Sequence, residues 1–329
     1  MAPILEVNNL HTYFATNEGI VKAVNGVSLS LEEDSVLGVV GESGSGKTMT
    51  ALSVLRLVPY PGQIVAGRIM YEGRDLLQMT DDEMRHVRGR QISLIFQDAA
   101  SALNPVITIG SQVEELMLEH TAMSKREAQQ VTAELLANMG IPDAKQMLGR
   151  YPFQLSGGMA QRVMMAIGVA LKPRVLIADE PTSNLDVTLQ AEMLQRLRVL
   201  RQESGTAIML ITHDLGVIAQ MAENVAVIYG GYVVEYADTP TLYRRPMHPY
   251  TWGLFQSLPR LDAVNQKLRP LTGAPPQMLD PPDQCPFLHR CSKATVECRT
   301  SPRPALVEVE PGHALACYNP VEIEETARN

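Results

Sequence analysis

The residues Gly41-Glu-Ser-Gly-Ser-Gly46-Lys47-Thr48 fit the pattern G-x-x-x-x-G-K-[ST]. Glycines let a backbone curl so that successive N–H groups face one anion. Gly41, Ser43, Gly44, Ser45 and Gly46 would supply that cradle for a nucleotide's phosphates. Lys47 would reach the β- and γ-phosphates, and the Thr48 hydroxyl would ligate Mg²⁺. A second acidic element follows much later. Val175-Leu-Ile-Ala-Asp179-Glu180 is an apolar run closed by two carboxylates. Asp179 suits the metal, and Glu180 suits the general base that polarises a water attacking the γ-phosphate.

Such residues work only if elements hold them. The short apolar run Ser35–Val40 ends in Gly41 and reads as a fully buried strand. Lys47–Val58 has helical character, so the order is strand, Gly-rich loop, helix, and the helix adds its positive N-terminal end to the cradle. Leu5–Val7 and Val27–Leu31 read as strands flanking a Phe14–Val21 loop; Gly67–Tyr71 and Ile92–Phe96 are further strands. Between about 99 and 166 the pattern turns helical, with Ser111–Leu118 and Ser124–Met139, where Ser124 and Glu127 form a potential capping box. Strand character returns at Val175–Ala178, Ala207–Thr212 and Val225–Tyr229, with a helix at Val187–Ser204. Strands alternating with helices predict an α/β fold with a parallel sheet.

Bulk properties exclude some functions. The 329 residues carry a formal net charge of −8, against the basic footprint that a general nucleic-acid grip needs. No apolar run is long enough to cross a bilayer, and the segment from Met1 to Val7 lacks the basic-then-apolar order of a signal peptide. The expectation is a chain that stays in the cytoplasm. After about residue 250 the composition shifts to a proline-rich tail that holds all four cysteines.

Further residues complete a pattern. Leu155-Ser156-Gly157-Gly158-Met159, placed 20 residues before Asp179, resembles the signature motif of ABC transporter ATPases, with Met where Gln is usual. Gln97 resembles that family's Q-loop glutamine, Ser183-Asn184-Leu185-Asp186 its D-loop, His213 its switch histidine and Phe14 the aromatic that stacks on adenine. The resemblance spans residues 3 to about 240. It implies a P-loop NTPase (RecA-like) core with an antiparallel β subdomain, an inserted helical subdomain and a C-terminal extension. The corresponding division is 1–98 with 167–250 for the ATP-binding core, 99–166 for the helical part and 251–329 for the extension. It implies catalytic roles for Glu180, His213 and Gln97, with Gln97 beside Thr48 and Asp179 as Mg²⁺ ligands, and nucleotide contacts from Phe14, Ser156, Gly157, Gly158 and Asp186. In the family the signature of one subunit closes on the ATP of another.

The tail narrows the branch. Arg245-Pro-Met-His248-Pro249-Tyr250-Thr251 resembles a stretch of oligopeptide, dipeptide and nickel importer ATPases, and Cys285-x₅-Cys291-x₆-Cys298-x₁₈-Cys317 resembles their C-terminal Cys region. This implies a peripheral subunit on the cytoplasmic side of the inner membrane, powering peptide import. Its partners would be a second ATPase chain (a paralogue forming a heterodimer), two membrane-spanning permease subunits and an extracytoplasmic binding protein, with no nucleic acid. Nickel, metallophore, opine or sugar cargo is the alternative within that machine; a soluble ABC ATPase of DNA repair or translation is the alternative outside it. The four cysteines fit a [4Fe–4S] cluster, which the resemblance favours, a Cys₄ zinc site, which the lack of a short C-x₂₋₄-C pair disfavours, or free thiols.

Overall fold

The computed structural model describes residues 3–183, 185–257 and 271–322. Asn184, in the segment that resembles the D-loop, lies outside the described residues. The chain forms two compact units, one made mainly of residues 71–211, the other of 6–30, 37–70 and 212–329.

In the first unit, strands Ile92–Ile95, Val175–Asp179 and Ala207–Thr212 run parallel, with Ile95 opposite Ala178 and Asp179 opposite Ile211. All of Val175–Asp179 and Ala207–Thr212 is buried, as their unbroken apolar runs require. Helices Ile109–His120, Lys125–Asn138 and Gly157–Val169 make the helical part. Their shared core is Val113, Met117 and Ala128, with Val131, Leu135, Ile167, Ala170 and Leu171 against it. The capping box is present: the Ser124 hydroxyl accepts from Glu127 N–H at 3.3 Å, and the Ser124 N–H donates to the Glu127 carboxylate at 2.7 Å. Thr108 caps the first of these helices, which starts at Ile109, two residues before the expected Ser111. Helix Val187–Ser204 has the bounds expected from its pattern.

In the second unit, the buried strand Val36–Val40 lies parallel to Asn224–Tyr229. Strands Tyr232–Asp238, His313–Leu315 and Val307–Glu310 extend it antiparallel. The tail thus supplies two strands, which its proline content did not suggest. A separate sheet holds Gly19–Leu31, Leu5–Thr16 and Gly62–Tyr71 in that order. The first two form a long hairpin, so Phe14 lies in a strand and the expected Phe14–Val21 loop shrinks to Asn17–Glu18. The cause is a change of phase: Leu5 and Val7 are buried, Asn9 takes φ 48°, and the buried face then moves to Leu10 and Thr12. Helix Lys47–Val54 is shorter than expected, because Arg56 takes φ 52° and stops it.

Candidate nucleotide site

The phosphate loop belongs to the second unit. Gly41, Gly44 and Gly46 have φ of 159°, 76° and 105°. A Cβ on Gly46 would stand 2.4 Å from the Ala23 carbonyl oxygen, so glycine is required there. Lys47 is 6 % exposed, and its Nζ donates to the carbonyl oxygens of Gly41 at 2.7 Å and Glu42 at 2.9 Å. Ser43 and Gly44 form the exposed rim of the loop, and Ser45 is buried. Thr48 is half-buried in the first turn of the helix. Phe14 is half-buried, with Gly62 against its ring: a Cβ there would stand 2.6 Å from Phe14 Cε1. His213 is exposed just past strand Ala207–Thr212.

Glu42 is gripped by the tail, a contact that sequence reading missed by treating the extension as remote from the loop. Its N–H donates to the Tyr250 hydroxyl oxygen at 2.7 Å. Its carboxylate takes two hydrogen bonds from Arg290, at 2.5 and 3.0 Å. Burial pushes the Tyr250 hydroxyl far above its ordinary range, so it remains a neutral acceptor. The turn carrying Tyr250 is fixed by the buried Glu235, which accepts from the N–H of Met247 at 2.6 Å, the N–H of His248 at 2.9 Å and His313 Nε2 at 2.8 Å. The only signal available beforehand was the recurrence of His248-Pro-Tyr-Thr in related tails; nothing in spacing pointed to Glu42 or Arg290.

The carboxylates belong to the first unit. Asp179 ends its strand at 3 % exposure, and Glu180 follows at 6 % with φ 49°. The Glu180 N–H donates to the Ile211 carbonyl at 2.8 Å. Gln97 is exposed after strand Ile92–Ile95. Ser156 caps helix Gly157–Val169 by accepting from the Met159 N–H at 3.3 Å, so this segment opens a helix, as expected. Nothing stands within 4 Å of a Cβ placed on Gly157, whereas Gly158 lies against Leu189 and Leu185. Asp186 caps helix Val187–Ser204, accepting from Thr188 and Leu189 N–H at 3.0 Å each. Gln161 was not foreseen: it is 5 % exposed and donates to the Pro181 carbonyl at 2.8 Å, tying the signature helix to the loop after Glu180.

Cys285, Cys291, Cys298 and Cys317 all line one small pocket, with His248, Phe287 and Lys293. Burial pushes the Cys285 thiol up to about 11, Cys317 up to about 12, and Cys291 upward; the other cysteines add to the shift. Among the described residues, no three His, Cys, Asp or Glu side chains are placed to hold a metal ion. The expected iron–sulfur or zinc group is therefore not a finding of the structure, although the convergence of the thiols is.

Comparison with known proteins agrees with this architecture. Residues 24–183 match the ABC transporter family, and residues 234–298 match the oligopeptide/dipeptide transporter C-terminal region. The chain is 44 % identical over 299 residues to the dipeptide transport ATP-binding protein DppD of Bacillus subtilis, covering 91 % of this chain and 89 % of that one. It is 42 % identical to the oligopeptide transport ATP-binding protein OppD of Salmonella typhimurium, covering 97 % and 94 %. Among solved structures, the ATP-binding cassette MJ0796 in its dimeric post-hydrolysis state, bound to ADP and Pi, superposes with a TM-score of 0.65 at 26 % identity, covering 71 % of this chain and 98 % of that one. At these identities over nine-tenths or more of its length, the chain belongs to the ABC transporter ATP-binding proteins of the oligopeptide/dipeptide class.

Proposed function

We propose that this chain hydrolyses ATP to power peptide import through a multisubunit membrane transporter. The carrying observation is that one chain joins the cassette at residues 24–183 to a C-terminal region of the oligopeptide/dipeptide type. The partners in this reading are a paralogous second ATPase, two permease subunits and an extracytoplasmic peptide-binding protein, with the chain on the cytoplasmic face of the inner membrane. Among the described residues no helix is long and apolar enough to cross a bilayer, so the permeases must supply the path. The test is uptake of labelled di- and oligopeptides by proteoliposomes holding the complete transporter and its binding protein. ATP-dependent peptide accumulation is expected; ATP-dependent uptake of nickel with none of peptide overturns the cargo.

Roles are assigned residue by residue. The loop N–H groups of Gly41–Gly46 and the Lys47 ammonium bind and orient the phosphates, with Phe14 stacking on the base. Thr48, Asp179 and Gln97 would hold Mg²⁺, which would supply positive charge against the phosphates. Glu180 takes the proton of the attacking water, and His213 positions the γ-phosphate. Asp186, whose carboxylate fixes the start of its helix, shapes the D-loop. The ATP-binding core comprises 1–98 and 167–250, the helical part 99–166 and the extension 251–329.

Ser156, Gly157 and Gly158 serve the ATP held by the partner ATPase. The 13-residue helix that they open presents N–H groups and a positive end to an anion, and space stands open around Gly157. Ser156→Arg should abolish turnover at the partner's phosphate loop, by roughly 100-fold or more, while ATP still binds this chain's own loop. Nucleotide photolabelling of each ATPase chain checks this; loss confined to this chain's own loop refutes the arrangement across subunits.

The cysteines hold a [4Fe–4S] cluster in this reading. The placement of four thiols around one pocket fits a group held by four thiolates. The cluster would staple the proline-rich tail, and binding would release thiol protons that burial otherwise retains. Anaerobic purification should yield about four irons and four labile sulfides per chain, and Cys291→Ser should cut that content by more than about half. Stoichiometric zinc without iron, from iron-replete cells, decides for zinc.

A further inference from the structure

A carboxylate in a phosphate-binding loop has the wrong sign. Glu42 follows Gly41 directly, and its backbone carbonyl accepts from Lys47 Nζ at 2.9 Å, so its charge sits in the immediate surroundings of the triphosphate. The structure cancels that charge with Arg290. This residue ends the short turn Leu288–Arg290 between Cys285 and Cys291, and its side chain is 7 % exposed. Nη1 and Nη2 meet the two carboxylate oxygens of Glu42 at 2.5 and 3.0 Å, in the fork geometry that makes an Arg–carboxylate pair both strong and directional. Nη1 also donates to the Tyr229 hydroxyl at 3.0 Å, and Nε donates to the Thr272 carbonyl at 2.8 Å. The guanidinium lies 5.7 Å from the Tyr229 ring centre and 5.8 Å from that of Phe287. The guanidinium is thus held by a carboxylate, a hydroxyl and a carbonyl at once. With the Tyr250 oxygen on its N–H, Glu42 is held at three points, two of them from the chain beyond residue 248.

We propose that Arg290 is a positioning residue for ATP: acting through Glu42, it fixes the first turn of the phosphate loop and neutralises a carboxylate that would otherwise repel the triphosphate. Arg290 does not touch the nucleotide. The role goes beyond the assignments above, resting only on the loop's being the phosphate site.

The electrostatic part of this role makes a signed prediction. Removing the guanidinium leaves a poorly solvated negative charge beside the anion site; removing the carboxylate as well removes the problem. In the complete transporter in proteoliposomes, Arg290→Gln should raise KM for MgATP roughly tenfold with kcat changed less than about threefold. Arg290→Lys should recover only part of the loss, because an ammonium restores the charge without the fork. The double variant Glu42→Gln with Arg290→Gln should bring KM back to within about threefold of Glu42→Gln alone. A merely structural role for Arg290 would not be rescued by deleting its partner. A wild-type KM in Arg290→Gln, or a double variant no better than Arg290→Gln, overturns the proposal. Should Arg290→Gln fail to assemble, Arg290→Lys reads the same contact: a severalfold rise in KM supports the role and an unchanged KM overturns it. Lys47→Ala serves as the control. Near-normal turnover in that variant would discard the phosphate-loop assignment itself, whereas an inactive Lys47→Ala beside an unaltered Arg290→Gln discards Arg290 alone.

Discussion

Replacing Lys47 with Ala should lower ATP turnover by at least about 100-fold while leaving the chain folded. The two effects separate because Lys47 does two jobs of unequal weight. Its Nζ bonds the carbonyl oxygens of Gly41 and Glu42, and its side chain is almost wholly buried. Those are contacts within one loop. Losing them costs about 1–3 kcal/mol. In the proposed function the ammonium faces the phosphoryl group in transfer, where deleting one fixed positive group costs about 2.7–4 kcal/mol of barrier. The loop itself survives, because its shape is set by the left-handed glycines and by the Gly231 N–H, which donates to the Ser45 carbonyl at 2.8 Å. Steady-state hydrolysis by the purified transporter, with circular dichroism and a melting curve on the same sample, checks both halves. Near-normal turnover refutes the assignment of the phosphate loop, and an unfolded variant refutes the separation.

What the sequence revealed of this site, and what it hid, follows from how far each signal reaches along the chain. The phosphate loop is local: eight consecutive residues specify strand end, turn and helix start, and the structure has them so. Helix Val187–Ser204 was equally legible, since Asp186 at its head is a short-range start signal and Gly205 at its end a stop signal; Gly205 takes φ 61°. The hairpin from Leu5 to Leu31 was half-legible. Its alternation changes phase at Asn9, so a reader following period two loses the strand just where Phe14 approaches. The contacts on Glu42 were not legible at all. They join residues 208 and 248 positions apart, and neither Tyr250 nor Arg290 stands in a pattern that names its partner. Gln161 illustrates the same limit on a smaller scale. One turn into the signature helix it looks like any polar helical residue, yet it is buried because the Pro181 carbonyl needs a donor. Conversely, the cysteines were visible as a group, and the fold brings them to one pocket.

Glu180→Gln should keep ATP affinity within about threefold of wild type and slow turnover by about 100- to 1,000-fold. Gln has the shape of Glu and cannot accept the proton of the attacking water. The backbone of residue 180 is tied in place independently of the carboxylate. Its N–H donates to the Ile211 carbonyl, and its carbonyl accepts from the Ser183 hydroxyl at 2.9 Å. Both bonds survive the substitution. The left-handed φ of 49° costs about 1 kcal/mol in any residue with a Cβ, so Gln inherits the same strain. Glycine alone is free of it. Glu180→Gly should therefore lose turnover as fully as Glu180→Gln while melting no lower than it, which separates the chemistry of the carboxylate from the conformation of the backbone. With hydrolysis blocked, ATP and Mg²⁺ should also hold a pair of ATPase chains together on a sizing column, since in the proposed arrangement each nucleotide bridges a phosphate loop and the opposite signature helix. Wild-type turnover in Glu180→Gln would remove Glu180 as the base. A slow variant that remains monomeric in ATP and Mg²⁺ would leave the base in place and overturn the shared site.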